Sequence, residues 1–289
     1  MIYRADFRIK SSKVKLISPV IFANIAKTYF EILDEGEALL QIQKLLASNT
    51  LISDMLLFGE FPINSVYAER FKPNASDTKG KRDEYRKWKK NRKLNYFLKE
   101  TENMRRRIRI DRNTGVAEEK YLFNEVEKWY NENSIYCFYV YTLDKQVLQL
   151  MELALKVIEL TGIGVDTSIG VGQIEFYKEN GKIFKEDRLL SQLFNKESSE
   201  DYKLNLASTI LFKEVIEDVE FIRYKIQRYD SRSLEIVKPP YFYAEVGNVI
   251  KVKKAKPYLQ KYSNKGSNIF IYTCTFPISL DIAEKEGKW

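Results

Sequence analysis

The 289-residue chain has no histidine, and that absence removes the commonest general base, the usual partner of a nucleophile and the usual transition-metal ligand. Any acid–base chemistry would fall to carboxylates, lysine, tyrosine or serine. Cysteine is nearly missing too: Cys137 and Cys274 lie inside apolar, strand-like runs (SIYCFYVY and IFIYTCTF), and neither belongs to a Cys-x-x-Cys or Cys/His pattern. Both read as buried free thiols in a reducing compartment. No apolar run is long enough for a membrane helix, and MIYRADFRIK lacks the apolar core of a signal peptide, so a cytoplasmic protein is expected. Glycine (12) and proline (7) are scarce while 44% of residues are hydrophobic. That composition predicts an ordered globular chain, long enough for two small domains or one large one.

What is present is basic charge, and it is local. Between Lys79 and Arg112 fifteen lysines and arginines face five acids, a net +10, whereas the whole chain carries +8; the remainder is therefore slightly acidic, at about −2. A surface built this way binds a polyanion, and in the cytosol a polyanion of that reach is most often nucleic acid. Arg105, Arg107 and Arg109 fall on alternate positions, with Ile108 and Ile110 in the opposite phase. On a strand that pattern sets three guanidiniums on one face at intervals of about 6.6 Å, able to follow a phosphate backbone. Asp111-Arg112-Asn113-Thr114-Gly115 has the composition of a turn, so the stretch through Val126 is expected to be a hairpin arm. Lys79 to Lys93 reads equally well as a solvated charge run. The 19 tyrosines and 17 phenylalanines suit strands and, where they reach the surface, base stacking.

Along the chain, Ile2 to Ile9 alternates as a half-buried strand and leads into a basic turn, Lys10 to Lys15. Ser18-Pro19 predicts an N-cap with proline at the first helical position, followed by apolar residues at helical spacing to Leu33. A second helix is expected from Glu37 to Ala47, and a strand from Thr50 to Phe58. After the insertion, Ile135 to Leu143 reads as a central strand and Asp144 to Leu160 as a helix stopped by Gly162. Gly162, Gly164, Gly170 and Gly172 then frame a loop before a strand from Gln173 to Tyr177. Glycine permits close backbone approach and exposes N–H donors. The loop has neither the Gly-Lys-[Ser/Thr] nor the strand-to-helix order of a phosphate loop, nor a dinucleotide fingerprint, and no cofactor is expected. Read by composition alone, it serves equally as a tight structural connector.

With the insertion set aside, the order is β-α-β-β-α-β, a ferredoxin-like or RNA-recognition-type layer. From Lys178 the pattern turns mostly β. Glu179-Asn180-Gly181-Lys182 reads as a turn and Glu197 to Asp201 as a polar connector. Strand-like runs follow at Leu204–Phe212, Val219–Arg228, Tyr241–Val246, Val249–Val252 and Asn268–Ile282. The expected class is α+β: tandem ferredoxin-like (RRM-like) domains, residues 1–178 with a basic hairpin or thumb inserted at about 72–134, and a mostly β, degenerate copy at 179–289.

Several of these stretches together resemble the RAMP superfamily of CRISPR proteins, in particular the subunit that caps the crRNA 5′ handle in type III-A (Csm) effector complexes. GIGVDTSIGVG is similar to the RAMP glycine loop, and RRRIRIDRNTGVAEEKYLF to the Arg-x-Arg-Ile-Asp-Arg-x-Thr-Gly-x-Ala-Glu-Glu segment of the capping subunit. SPVIFANIAKTYFEIL, LISD and GSNIFIYTCTFPISL match in position. Two departures stand out: Pro19-Val20-Ile21 replaces the family's Asp-Thr-Leu, and Val165-Asp166 replaces a basic residue in the glycine loop. The resemblance implies a non-catalytic antiviral RNA-binding subunit that anchors the handle. It would touch a large polymerase/cyclase-like subunit on one side and a backbone RAMP subunit on the other, with target RNA reached indirectly near the thumb. RNA contacts are expected at Lys13, Ser18, Arg105, Arg107, Arg109 and Arg112. In the glycine loop they are expected at Gly162, Gly164, Thr167, Ser168, Gly170 and Gly172, with no catalytic or metal residue. The alternatives are a RAMP endoribonuclease that processes crRNA or cleaves RNA, the equivalent subunit of a type III-B complex, and a basic interaction protein that binds no RNA.

Overall fold

The computed structural model describes residues 1–11, 16–59, 79, 83, 100–110, 117–130, 134–164, 171–195, 202–229, 241–264 and 267–279, with the side chains of 100–110, 117–130, 229 and 262–269 outside that description. Four strand positions form the first sheet: β1 (Ile2–Ile9), the pair β2 (Leu51–Ile52) and β3 (Leu56–Leu57), β6 (Tyr136–Tyr141) and β7 (Ile174–Phe176). The excursion between β3 and β6 contains β4 (Glu100–Ile110) and β5 (Ala117–Tyr130). The sheet order is β2-β6-β1-β7, with β3 also on β6, and every pairing is antiparallel. Helices α1 (Ser18–Ile32), α2 (Glu35–Ala47) and α3 (Lys145–Thr161) connect these strands. In α1, Ile21, Phe22, Ile25, Thr28 and Tyr29 recur at three and four residues and are buried, as the helical period requires.

Differences from the sequence reading have local causes. The strand expected over Thr50–Phe58 is broken, because its register against β6 slips by one residue between Ile52↔Val140 and Leu56↔Cys137. The surplus residue lets Asp54 turn away from the ladder, the usual outcome of a bulge. β1 is central, not half-buried: Asp6 is buried and its carboxylate is paired with Arg4 and Lys185. The cap of α2 is Asp34, whose Oδ1 accepts from Glu37 N–H at 2.9 Å, so that helix starts two residues earlier than expected.

Past residue 178 the chain first returns to this sheet. Asn180 and Gly181 both have positive φ (51° and 76°), and Glu179 and Lys182 exchange backbone hydrogen bonds of 2.9 and 3.0 Å, which makes the expected turn a tight hairpin. β8 (Phe184–Glu186) then pairs with β1, so a division at 178 falls inside the first sheet. After α4 (Arg188–Asn195) come β9 (Tyr202–Asn205), β10 (Thr209–Ile210), α5 (Lys213–Asp218), β11 (Val219–Arg223), β12 (Ile226–Tyr229), β13 (Tyr241–Ala244), β14 (Val249–Val252), β15 (Pro257–Asn264), β16 (Ser267–Cys274) and β17 (Pro277–Ser279). They form sheets β11-β14-β9-β17 and β10-β13-β12 and the hairpin β15-β16. The chain is thus α+β, with antiparallel sheets throughout the described residues.

One core runs through both halves, joining Phe7, Ile25, Phe138 and Met151 to Leu204, Tyr272, Phe276 and Ile278. Phe22 stacks on Tyr272 at 4.1 Å between ring centroids. Tyr272 donates its hydroxyl to Thr50 O (3.0 Å), and Cys274 its thiol to Ile52 O (3.2 Å). Among the described residues no helix is long and apolar enough to cross a membrane.

Candidate nucleic-acid interface

The register of the first sheet decides where its connections emerge. Ile9 pairs with Ile174, Phe7 with both Phe176 and Tyr136, and Tyr136 with Leu57. β1 and β3 therefore end, and β6 and β7 begin, at one end of the sheet. Three connections leave or enter there: residues 10–17, the long excursion between Phe58 and Ile135, and residues 162–173. The basic turn, the arm and the glycine loop are the three features singled out in the sequence, and all are rooted at this end. The excursion is closed at its base by Phe58 N–H on Ile135 O at 2.9 Å.

The glycine loop and the first connection are fastened together. Lys10 N–H donates to Gln173 O (2.8 Å), and Gln173 N–H donates to Ser11 Oγ (2.9 Å). On the entry side Gly162 ends α3 at φ 87°, and Gly164, at φ 98°, donates its N–H to Asn24 Oδ1 at 2.9 Å. Ile163 N–H donates to Gly172 O at 2.9 Å, closing the neck. Gly172 has φ +76°, and a Cβ there would stand 2.0 Å from Ile163 O. Only glycine fits that crossing. Ile9, Leu16, Ile163 and Ile174 line a small apolar pocket beneath it, so the root of the loop is packed as well as hydrogen-bonded.

Electrostatics at this end are mixed. Lys10 is paired with Glu175 at 2.7 Å, and that contact holds the Glu175 carboxyl below the usual range. Arg8 lies over the Tyr177 ring at 5.2 Å. Lys10 is thus largely neutralised, and further positive charge has to come from elsewhere in the connections.

Ser18 requires a correction. It is fully buried, and Ile17 stands at the N-cap position with no side-chain cap. Ser18 N–H donates to Asp54 Oδ1 at 2.8 Å, and its Oγ lies 3.6 Å from Cys274 Sγ. The carboxylate of Asp54 supplies from a distance the acceptor that an N-cap serine would have supplied, and a side chain sealed in the core offers no surface to RNA.

Lys13, Arg112, Thr167, Ser168 and Gly170 lie outside the described residues. For the arm, β4 and β5 form their own two-stranded sheet in which Arg105 pairs with Glu125, Arg107 with Phe123 and Ile108 with Leu122. The register then jumps to Ile110↔Ala117. Arg109 sits in that irregularity, so the even ladder extends through Arg105 and Arg107 and is interrupted before the third arginine.

The residues missed in the sequence are Ser11, Asn24 and Asp54. Each works by accepting a backbone N–H, a role with no spacing signature. Asn24 left one trace, a polar amide beside the buried face of α1.

No family model matches the chain, and no curated protein is similar to it in sequence. Solved structures are similar over nearly its whole length. One is a crystal structure of the Csm1-Csm4 cassette in complex with pppApA, with TM-score 0.59, 11% identity, and 96% of this chain and 98% of that one covered. The same cassette in complex with cA4 gives TM-score 0.57 and 12% identity, at the same 96% and 98%. A Csm3-Csm4 subcomplex in the type III-A CRISPR-Cas interference complex gives TM-score 0.56 and 16% identity, with 93% and 98% covered. Csm4 is the subunit common to these structures. At these identities what is shared is the fold, and this chain has it.

Proposed function

We propose that this chain is the non-catalytic RNA-binding subunit that caps the crRNA 5′ handle in a type III-A (Csm) CRISPR effector complex. In this reading its neighbours are a large polymerase/cyclase-like subunit and a backbone RAMP subunit, as Csm1 and Csm3 accompany Csm4 in the similar structures. Its halves are two ferredoxin-like units, the first carrying the thumb and the second degenerate. The observation that carries the reading is the common root of the basic turn, the basic arm and the glycine loop at one end of the first sheet. A sugar-phosphate strand lying across that end meets cations, whose contribution is sequence-independent and salt-sensitive. In this reading it also meets the backbone of the glycine loop, which positions it without reading bases. The lack of histidine favours a binder over a nuclease.

The test is a mobility shift with labelled crRNA on the purified chain across a salt series. Changing Arg105, Arg107 and Arg109 together to Ala should weaken binding by a factor on the order of 100 at low salt and reduce the salt slope by about 2, given roughly 0.7 per phosphate contact on a single strand. No cleaved product should appear. Unchanged affinity and slope would remove the arm from the interface, and a shortened RNA would return the nuclease reading.

A further inference from the structure

The neck of the glycine loop closes on itself through Ile163 and Gly172, but its limbs are also tied to groups outside it. Its two limbs are held by side chains from outside the loop, one on each side of the neck: Asn24 of α1 and Ser11 of the connection from β1. On the entry limb Gly164 N–H is taken by Asn24 Oδ1, and on the exit limb Gln173 N–H is taken by Ser11 Oγ, both at 2.9 Å. Asn24 is itself fixed, because its Nδ2 donates to Val20 O one turn back in α1 at 2.8 Å. An amide can do both at once through two different atoms, donating from its nitrogen to a carbonyl and accepting an N–H at its oxygen. Aspartate would keep the acceptor and turn an oxygen toward Val20 O. Alanine would drop both bonds.

Resting on the proposed RNA-binding role of this end of the molecule, we infer that Asn24 is a positioning residue that sets the geometry of the glycine loop for RNA, with Ser11 as its counterpart on the other limb. The half-buried amide contributes no charge, so its effect reaches RNA through backbone placement and not through ion pairing. Two N–H groups that would otherwise compete for any oxygen nearby are consumed, and the path of both limbs is fixed before RNA arrives. Fixing a binding loop beforehand lowers the ordering cost of association. Because α1 carries the clamp, its seating on the sheet and the geometry of the loop move together.

The experiment uses the full chain and a fluorescein-labelled single-stranded RNA carrying the 5′ end of the host's CRISPR RNA. Affinity is measured at several salt concentrations for the parent chain, Asn24→Ala, Asn24→Asp and Ser11→Ala. Glycine-selective nitrogen-15 labelling reports the Gly164 amide, and the chain has only 12 glycines to resolve. Asn24→Ala should shift the Gly164 resonance, speed its amide exchange and weaken RNA binding about fivefold, the equivalent of one ordinary hydrogen bond, with the salt slope unchanged. Ser11→Ala, which frees the Gln173 N–H, should weaken RNA binding to a smaller degree without moving Gly164. Asn24→Asp should keep Gly164 protected, and a merely structural role for the side chain would leave RNA affinity equal in all four proteins measured well below their melting temperatures. If the parent chain binds and Asn24→Ala binds equally well with Gly164 displaced, the inference is overturned and the RNA-binding reading stands. If Gly164 does not respond at all, the clamp itself is absent. If the parent chain does not bind RNA, the reading fails first and the inference with it.

Discussion

Asp54 and Asn24 do the same geometric work in two regions with different stakes. Each accepts a backbone N–H that no helix or ladder uses. Asp54 is an acid at 2% exposure, set between the halves, and takes Ser18 N–H at 2.8 Å, Ser208 N–H at 2.7 Å and the Ser208 hydroxyl at 2.6 Å. Asn24 is a half-buried neutral amide at the root of the glycine loop, with one bond in and one out. Where water is excluded, removing the acceptor leaves donors with nowhere to go, which costs far more than the bond was worth. Where water can enter, the donor is rehydrated and only the geometry is lost. The seam should therefore respond in stability and the loop in binding.

The largest expected effect follows at the seam. Asp54→Ala strands two buried backbone donors and a hydroxyl, and about 3–5 kcal/mol of stability should go, at the upper end of single substitutions. In a chain of this size that lowers Tm by roughly 10 °C, readable by circular dichroism. Asp54→Asn keeps an oxygen at Oδ1, which takes both the Ser18 and Ser208 N–H groups, and should lose less than half as much. Equal losses in the two variants would show that the charge, not the acceptor, matters there. Asn24→Ala by contrast should leave Tm within about 1–2 °C of the parent, the shift expected for roughly half a kilocalorie.

A pair of glycines separates conformation from packing in the same way. Gly172 and Gly181 share φ +76°, but an added Cβ meets Ile163 O at 2.0 Å in the first case and nothing within 4 Å in the second. Gly181→Ala should cost only the strain of a left-handed alanine, about 1–2 kcal/mol. Gly172→Ala must in addition part the two limbs of the loop and break the bond from Ile163 N–H. It should lose about 2–4 kcal/mol and most of its RNA affinity, whereas Gly181→Ala keeps that affinity. Matching losses in calorimetry would mean that the neck yields easily.

How much of this could be read beforehand follows from range. β1 and α1, the central strand at Tyr136–Tyr141 and the stop at Gly162 obey local rules, namely apolar period, a start or stop residue and β-branched or aromatic enrichment, and they appeared within a few residues of their places. β15 (PYLQKYSN) is half polar and exists because it pairs along its full length with β16. α4 is only eight residues long; its start is held by Asp187 Oδ1 on Leu190 N–H, and it is seated by Leu190 and Leu193. The break in Thr50–Phe58 is set by Asp54 reaching across 154 positions to Ser208. The candidate site divides likewise: its glycines carry a composition signal, whereas Ser11 and Asn24, which hold those glycines, are ordinary polar residues until the chain is folded.

The smallest expected effect is an absence of change, and it can decide whether the two regions are independent. Cys274 lies at the seam, bonded to Ile52 O and beside Ser18, and burial raises its pKa. Cys137 is buried in the first sheet, and burial pushes its thiol up to about 12. A raised thiol pKa means the folded state favours the protonated form. That contribution to stability is complete below the unfolded value near 9.0 and fades as pH rises toward 12. At pH 8 the native chain therefore presents almost no thiolate, and thiolate is the species that reacts. The parent chain and Asn24→Ala should both resist a thiol reagent such as dithionitrobenzoate at pH 8 and yield two thiols only in denaturant. Asp54→Ala should label faster in native buffer, with Cys274 ahead of Cys137 by peptide mapping. If Asn24→Ala exposed Cys274 just as readily, the loop clamp and the seam would be one cooperative unit, and its binding defect would have to be reassigned to loosening of the whole fold.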